Sequence, residues 1–161
     1  MKILVDADSC PRPVRDLVLR TAAKREFPVI FAANRPIPGA AGPGVRMELC
    51  PPEEGSADDR LVELAAPGDL AITRDIALAE RLLEKAVRTL DDRGRRYTGE
   101  TIRERLSIRN FTVALAESGL GAERQAVYGK RELKTFADAF DRELSRLRTE
   151  GGAGTEPGGM T

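Results

Sequence analysis

A chain of 161 residues and 17.5 kDa suits one domain with a core of real size. Lysine plus arginine and aspartate plus glutamate both number 26, so the formal net charge is zero, which excludes a uniformly basic nucleic-acid coat and an acidic disordered chain alike. Histidine is absent, so imidazole acid–base chemistry, serine–histidine triads and most zinc sites are excluded and any reaction must fall to carboxylates and arginines.

Ile3 to Val5 make a short apolar run ended by Asp6, the pattern of a buried parallel strand. Pro11 and Pro13 suit the first turn of a helix, whose apolar positions Val14, Leu17, Val18 and Ala22 carry it to about Lys24. Pro28 to Ala33 reads as a second strand. Residues 34–44 hold three prolines and three glycines and form a loop. Val45 to Leu49 alternates as a third, weaker strand. Ser56 opens a helix with Leu61, Val62, Leu64 and Ala65 as its stripe, closed by Pro67-Gly68. Leu70 to Thr73 is a strand, Ile76 to Ala86 a helix and Val87 to Leu90 a further short strand. A helix from Gly99 to Ser118, with a break near Asn110, and an amphipathic helix over 131–148 follow. Residues 1–148 thus make one domain, and 149–161 a tail with nothing to bury, expected to be disordered.

Strands separated by helices imply βαβ units and a mainly parallel sheet, with ligands held outside the carboxyl ends of its strands. Acids converge on that edge. Asp6 and Asp8 follow the first strand, Asp75 follows Leu70–Thr73, and Asp58 and Asp59 open the helix after the long loop. Carboxylates crowded together repel by roughly several kcal/mol, and a hard divalent cation such as Mg²⁺ or Mn²⁺ relieves this through oxygen ligands. Each acid also has a plainer explanation. Asp58 and Asp59 suit the positive end of a helix dipole, and Asp75 suits an N-cap. Asp6, closing a buried strand, needs a partner or a metal. Asp69 precedes its strand and belongs at the opposite edge. Thr73 either orients a ligand or water or is a buried capping hydroxyl.

Cys10 and Cys50 are the only cysteines, too few for a disulfide framework, and Cys10 reads as a buried thiol for want of a base. With no apolar run of membrane length and a charge at Asp6 that interrupts any signal-peptide core, a soluble, reduced, cytoplasmic protein is expected.

Charge is uneven along the chain. Residues 1–92 carry 13 basic and 16 acidic groups, and residues 93–148 carry 13 basic and 8 acidic. Six arginines fall within Arg93–Arg109. Their forks match phosphate oxygens, Tyr97 could stack on a base, and the alternative is a solvated helix face. A metal site beside an arginine surface suits the cutting of phosphodiesters.

Three segments together resemble the bacterial YaiI/YqxD family (UPF0178, DUF188): Asp6-Ala7-Asp8-Ser9-Cys10-Pro11, Gly68 through Ala79, and Arg93-Gly94-Arg95-Arg96-Tyr97-Thr98 through Arg109. The resemblance covers roughly residues 1–148. It implies a PIN-like three-layer α/β/α sandwich with a mainly parallel central sheet. It implies an acidic cluster binding Mg²⁺ or Mn²⁺ as cofactor, with Asp6, Asp8, Asp58 and Asp75 as metal ligands. Asp6, Asp58 and Asp75 are the catalytic candidates; Arg93, Arg96, Tyr97, Arg109 and Thr73 are the substrate-binding ones. The family commonly has a further aspartate where Gly55 stands here.

The expected function is a metal-dependent ribonuclease, with RNA or another phosphate-bearing ligand as partner and no membrane. The alternative is a non-catalytic PIN-like module that binds RNA or protein. A homo-oligomer is compatible with either.

Overall fold

The computed structural model describes residues 1–117 and 127–154. Five strands and five helices follow in the order β1 (Ile3–Asp6), α1 (Arg12–Arg25), β2 (Val29–Ala33), β3 (Val45–Leu49), α2 (Ser56–Leu64), β4 (Leu70–Ile72), α3 (Ile76–Glu84), β5 (Arg88–Leu90), α4 (Gly99–Glu117) and α5 (Lys130–Gly154). The sheet runs β3-β2-β1-β4-β5 and every pairing in it is parallel. From β1 the chain first builds outward through β2 and β3, then crosses to the other side for β4 and β5. The strand order therefore reverses between β1 and β4, where a crevice opens at the carboxyl edge of such sheets.

Alternation sorts the strand residues onto two faces. Ile3, Val5, Phe31, Ile72 and Leu90 pack against Val14 and Val18 of α1 and Phe136, Phe140 and Leu144 of α5. Leu4, Ile30, Ala32 and Ala71 pack against Ala57 and Leu61 of α2 and Leu78 and Leu82 of α3. The result is a three-layer α/β/α sandwich. Helix α4 adds to the outside of α3, where Ile102 and Tyr97 close over Ala79. β1 is buried throughout, as befits the central strand, whereas edge strand β3 is only partly covered.

The parallel step from β2 to β3 is made by the irregular loop of residues 34–44, without the crossover helix usual between parallel strands. Helix α4 continues unbroken past Asn110 to Glu117; Ser118 lies outside the described residues. Helix α5 runs on to Gly154 instead of ending near 148, and residues 155–161 of the expected tail lie outside the described part. No helix among the described residues is long and apolar enough to cross a membrane.

Gly94, in the turn after β5, has φ +79° and lies against α5: a Cβ there would meet Ala139 Cβ at 2.6 Å and the Thr135 carbonyl at 2.9 Å. Both the backbone and the contact require glycine. Gly94→Ala is expected to cost roughly 1–3 kcal/mol, read as a lower urea midpoint with unchanged slope.

Candidate functional site

β1 delivers Asp6 to the crevice on the same face as Leu4, and β4 delivers Thr73 beside it on the face of Ala71. Asp6 is only 4% exposed, and its Oδ2 accepts hydrogen bonds from Thr73 Oγ1 at 2.8 Å and Ser9 Oγ at 2.9 Å. The fully buried Thr73 does more than this. Its hydroxyl oxygen accepts the Asp75 N–H at 3.0 Å, and its carbonyl accepts the Tyr97 hydroxyl at 3.0 Å. Burial raises the Asp6 pKa; the two hydroxyl bonds oppose the shift, and the charges of Asp75 and Asp8 add to it.

Asp75 is the N-cap of α3, its Oδ1 accepting from the N–H groups of Ala77 at 2.9 Å and Leu78 at 3.2 Å. Asp58, in the first turn of α2, faces the Asp75 carboxyl across the cleft. Its own carboxyl is pushed up to about 7, first by burial, then by the charges of Asp6 and Asp75, with Arg81 opposing. That direction is the reverse of what a helix dipole does to an acid in its first turn, so burial and the neighbouring charges outweigh dipole compensation at Asp58. Such compensation does suit Asp59, which points away to an ion pair with Arg81 at 2.9 Å. Asp8 turns toward the end of β2, where its Oδ2 accepts the Asn34 N–H at 2.9 Å and Arg35 lies 3.6 Å from Oδ1.

Asp6, Asp8, Asp58 and Asp75 line one cleft of about 420 Å³, together with Asn34 and Glu54. A second cleft of about 490 Å³ continues from it, lined by Asp8, Ser9, Asp75, Arg74 and Arg109. The acids from β1, α2 and α3 are therefore brought together, and Arg109 lies on the adjoining wall.

The arginine segment divides. Arg93 lines a third cleft of about 660 Å³, and Arg96 is exposed, its backbone bridging to Leu90. Tyr97 is 1% exposed and the Arg105 guanidinium covers its ring at 4.3 Å, so this ring cannot stack on a base as the sequence suggested. Thr73, equally inaccessible, cannot touch a ligand; it positions Asp6. Two further buried acids, Asp91 and Asp92, follow β5. Asp91 binds Arg95 at 2.9 Å and Arg105 at 2.8 Å, and Asp92 lies 3.5 Å from Arg74. The strand-end rule that selected Asp6 selects them too. Asp69 is at the opposite edge, held by Lys2, and both cysteines are buried free thiols.

Comparison with known sequences decides the kinship. The family described as "Uncharacterized BCR, YaiI/YqxD family" matches residues 4–146. The chain belongs to the YaiI/YqxD family. It is 44% identical over 147 residues to a UPF0178 protein of Treponema pallidum, covering 91% of this chain and 83% of that one. It is 43% identical over 147 residues to a UPF0178 protein of Pseudomonas entomophila, covering 91% and 98%. No solved structure matches it.

At the position where this YaiI/YqxD chain carries Gly55, the backbone is left-handed (φ +79°) and forms the N-cap of α2. The neighbouring Glu54 lines the acid cleft, so a carboxyl stands one residue earlier than the family pattern implies. The donor set is all oxygen, which fits a hard cation. Among the described residues no three acidic or thiol groups are arranged as a ready metal cage.

A carboxyl raised in the folded state favours folding below its unfolded pKa and loses that contribution as pH rises through its folded value. For Asp58 the window runs from about 4 to about 7. Stability is expected to fall across it, and Asp58→Asn is expected to flatten the fall and raise the melting temperature at pH 8 by ~2–4 °C. Thr73→Val strips Asp6 and the Asp75 N–H of a partner; unfolding in urea is expected to show a loss of about 1–3 kcal/mol.

Proposed function

We propose that this protein is a Mg²⁺- or Mn²⁺-dependent ribonuclease of PIN-like type. The observation that supports the reading is the meeting of Asp6, Asp58 and Asp75 in one cleft at the reversal of strand order, with Asp58 raised to about 7. Acids that oppose one another in a cleft cost stability, and a carboxyl shifted by burial and neighbouring charge there points to a functional site. Asp58 and Asp75, with Asp6 and Asp8 beside them, are the groups that would hold the ion. The bound ion would supply an activated water and charge for the leaving oxygen. The chain's own residues do the rest. Thr73 and Ser9 fix the Asp6 carboxylate, and exposed Arg109 on the adjoining wall can orient a phosphate.

Asp75→Asn is the informative change, because asparagine caps a helix as well as aspartate does. Cleavage of labelled RNA in Mn²⁺ is expected to fall by a factor of about 100 or more in Asp6→Asn and in Asp75→Asn. The wild-type melting temperature is expected to rise by several degrees in Mn²⁺, and that rise to vanish in Asp75→Asn. The second reading, a non-catalytic binding module, draws on the lack of a three-ligand group among the described residues and on the engagement of Asp8 with Asn34 and Arg35. Absence of both cleavage and the Mn²⁺ shift decides for it.

A further inference from the structure

The acid cleft is one end of a longer track. The second cleft shares Asp8, Ser9 and Asp75 with the first and adds Arg74 and Arg109. The third shares Arg74 with the second and adds Arg93, Arg95 and Tyr128. The three follow one another along the carboxyl edge of the sheet, from β1 past β4 to the end of β5, and the lining changes from acidic to basic on the way.

Arg74 stands at the joint. Its N–H donates to Ser9 Oγ at 3.1 Å, which ties its backbone to the group that holds Asp6. Its side chain is 55% exposed and lines the cleft, with Nε 3.5 Å from the buried Asp92. Arg95 gives its Nε to Asp91 and leaves the other end of its fork to solvent, with a side chain 63% exposed. Arg93 forms no ion pair among the described residues. Two acids also line this cleft, Asp92 beside Arg74 and Glu132 accepting the Gly129 N–H at 3.0 Å, and the Arg93 charge bears on both. On the far wall the half-buried Tyr128 is held rigid by donating its hydroxyl to the Asp92 carbonyl at 2.6 Å, with exposed Val127 next to it. Guanidinium forks beside a fixed aromatic wall are the combination that tracks a single-stranded backbone and receives its unstacked bases.

We infer that the Arg74–Arg93–Arg95 cleft is the subsite for single-stranded polynucleotide flanking the bond at the acid cleft, so that the protein engages a strand of several phosphates and not a dinucleotide. The inference rests on the phosphodiesterase reading for where the strand is cut; the binding itself needs no cleavage.

The test is fluorescence anisotropy of labelled eight-residue RNA and DNA strands with the full chain in EDTA, where nothing is cut. Arg93→Ala carries it, since loss of that side chain breaks no ion pair among the described residues. Affinity for the eight-residue strand is expected to fall about 10-fold, and the slope of log affinity against log salt to shrink by about 1, for both sugars. Arg74→Ala is expected to act likewise, with Arg74→Lys restoring part of the slope. Unchanged affinity and slope in Arg93→Ala, or a duplex bound as tightly as the single strand, overturns the inference. The cleavage assay separates the two readings. If RNA is cut but a dinucleotide reacts as fast as the longer strand, the subsite is wrong and the site stands. If nothing is cut while the arginine variants lose binding, the subsite stands and the ribonuclease reading falls.

Discussion

The bond from Thr73 to Asp6 joins β1 to β4 where the strand order reverses, and the carboxyl edge of the molecule is organised around it. A carboxylate closing a buried central strand is costly unless its oxygens are satisfied. Here one threonine satisfies it and at the same time accepts the N–H of Asp75 and offers its carbonyl to Tyr97. β1, the start of α3 and the segment leading into α4 are thereby tied through one side chain and its peptide group. The chain does not spend Thr73 or Tyr97 on ligands because both are already committed to holding the acids still.

Parallel strands packed on both faces write themselves as short apolar runs, and these are legible without coordinates: Ile3–Val5, Pro28–Ala33 and Leu70–Thr73 each stop at the crevice edge. The acids just past them could be picked out by the same logic. What sequence cannot display is which side of a polar residue meets the interior. Tyr97 lies among arginines and looks like a surface aromatic, but Arg105 folds over its ring and the hydroxyl turns inward. Asp91 and Asp92 follow β5 as Asp6 follows β1, yet adjacent charges read as solvated surface until the turn around Gly94 is seen to bury them. The length of α5 escaped for a different reason. Glycines at 151, 152 and 154 argue against a helix by local propensity.

Part of the charge contrast between the two parts of the chain is met internally, because Asp91 takes up Arg95 and Arg105. Asp6, Asp58 and Asp75 meet in one cleft, with the Arg81 charge opposing the rise at Asp58, and Arg109 stands on the adjoining wall.

Asp75 and Asp58 differ in what keeps them in the chain. Asp75 caps α3, so a lineage that abandoned the chemistry would still be selected to keep it, or to drift only as far as asparagine. Asp58 caps nothing and its ionised form is a burden on the fold. Among descendants of a common ancestor, persistence at position 75 therefore has two explanations and persistence at 58 has one.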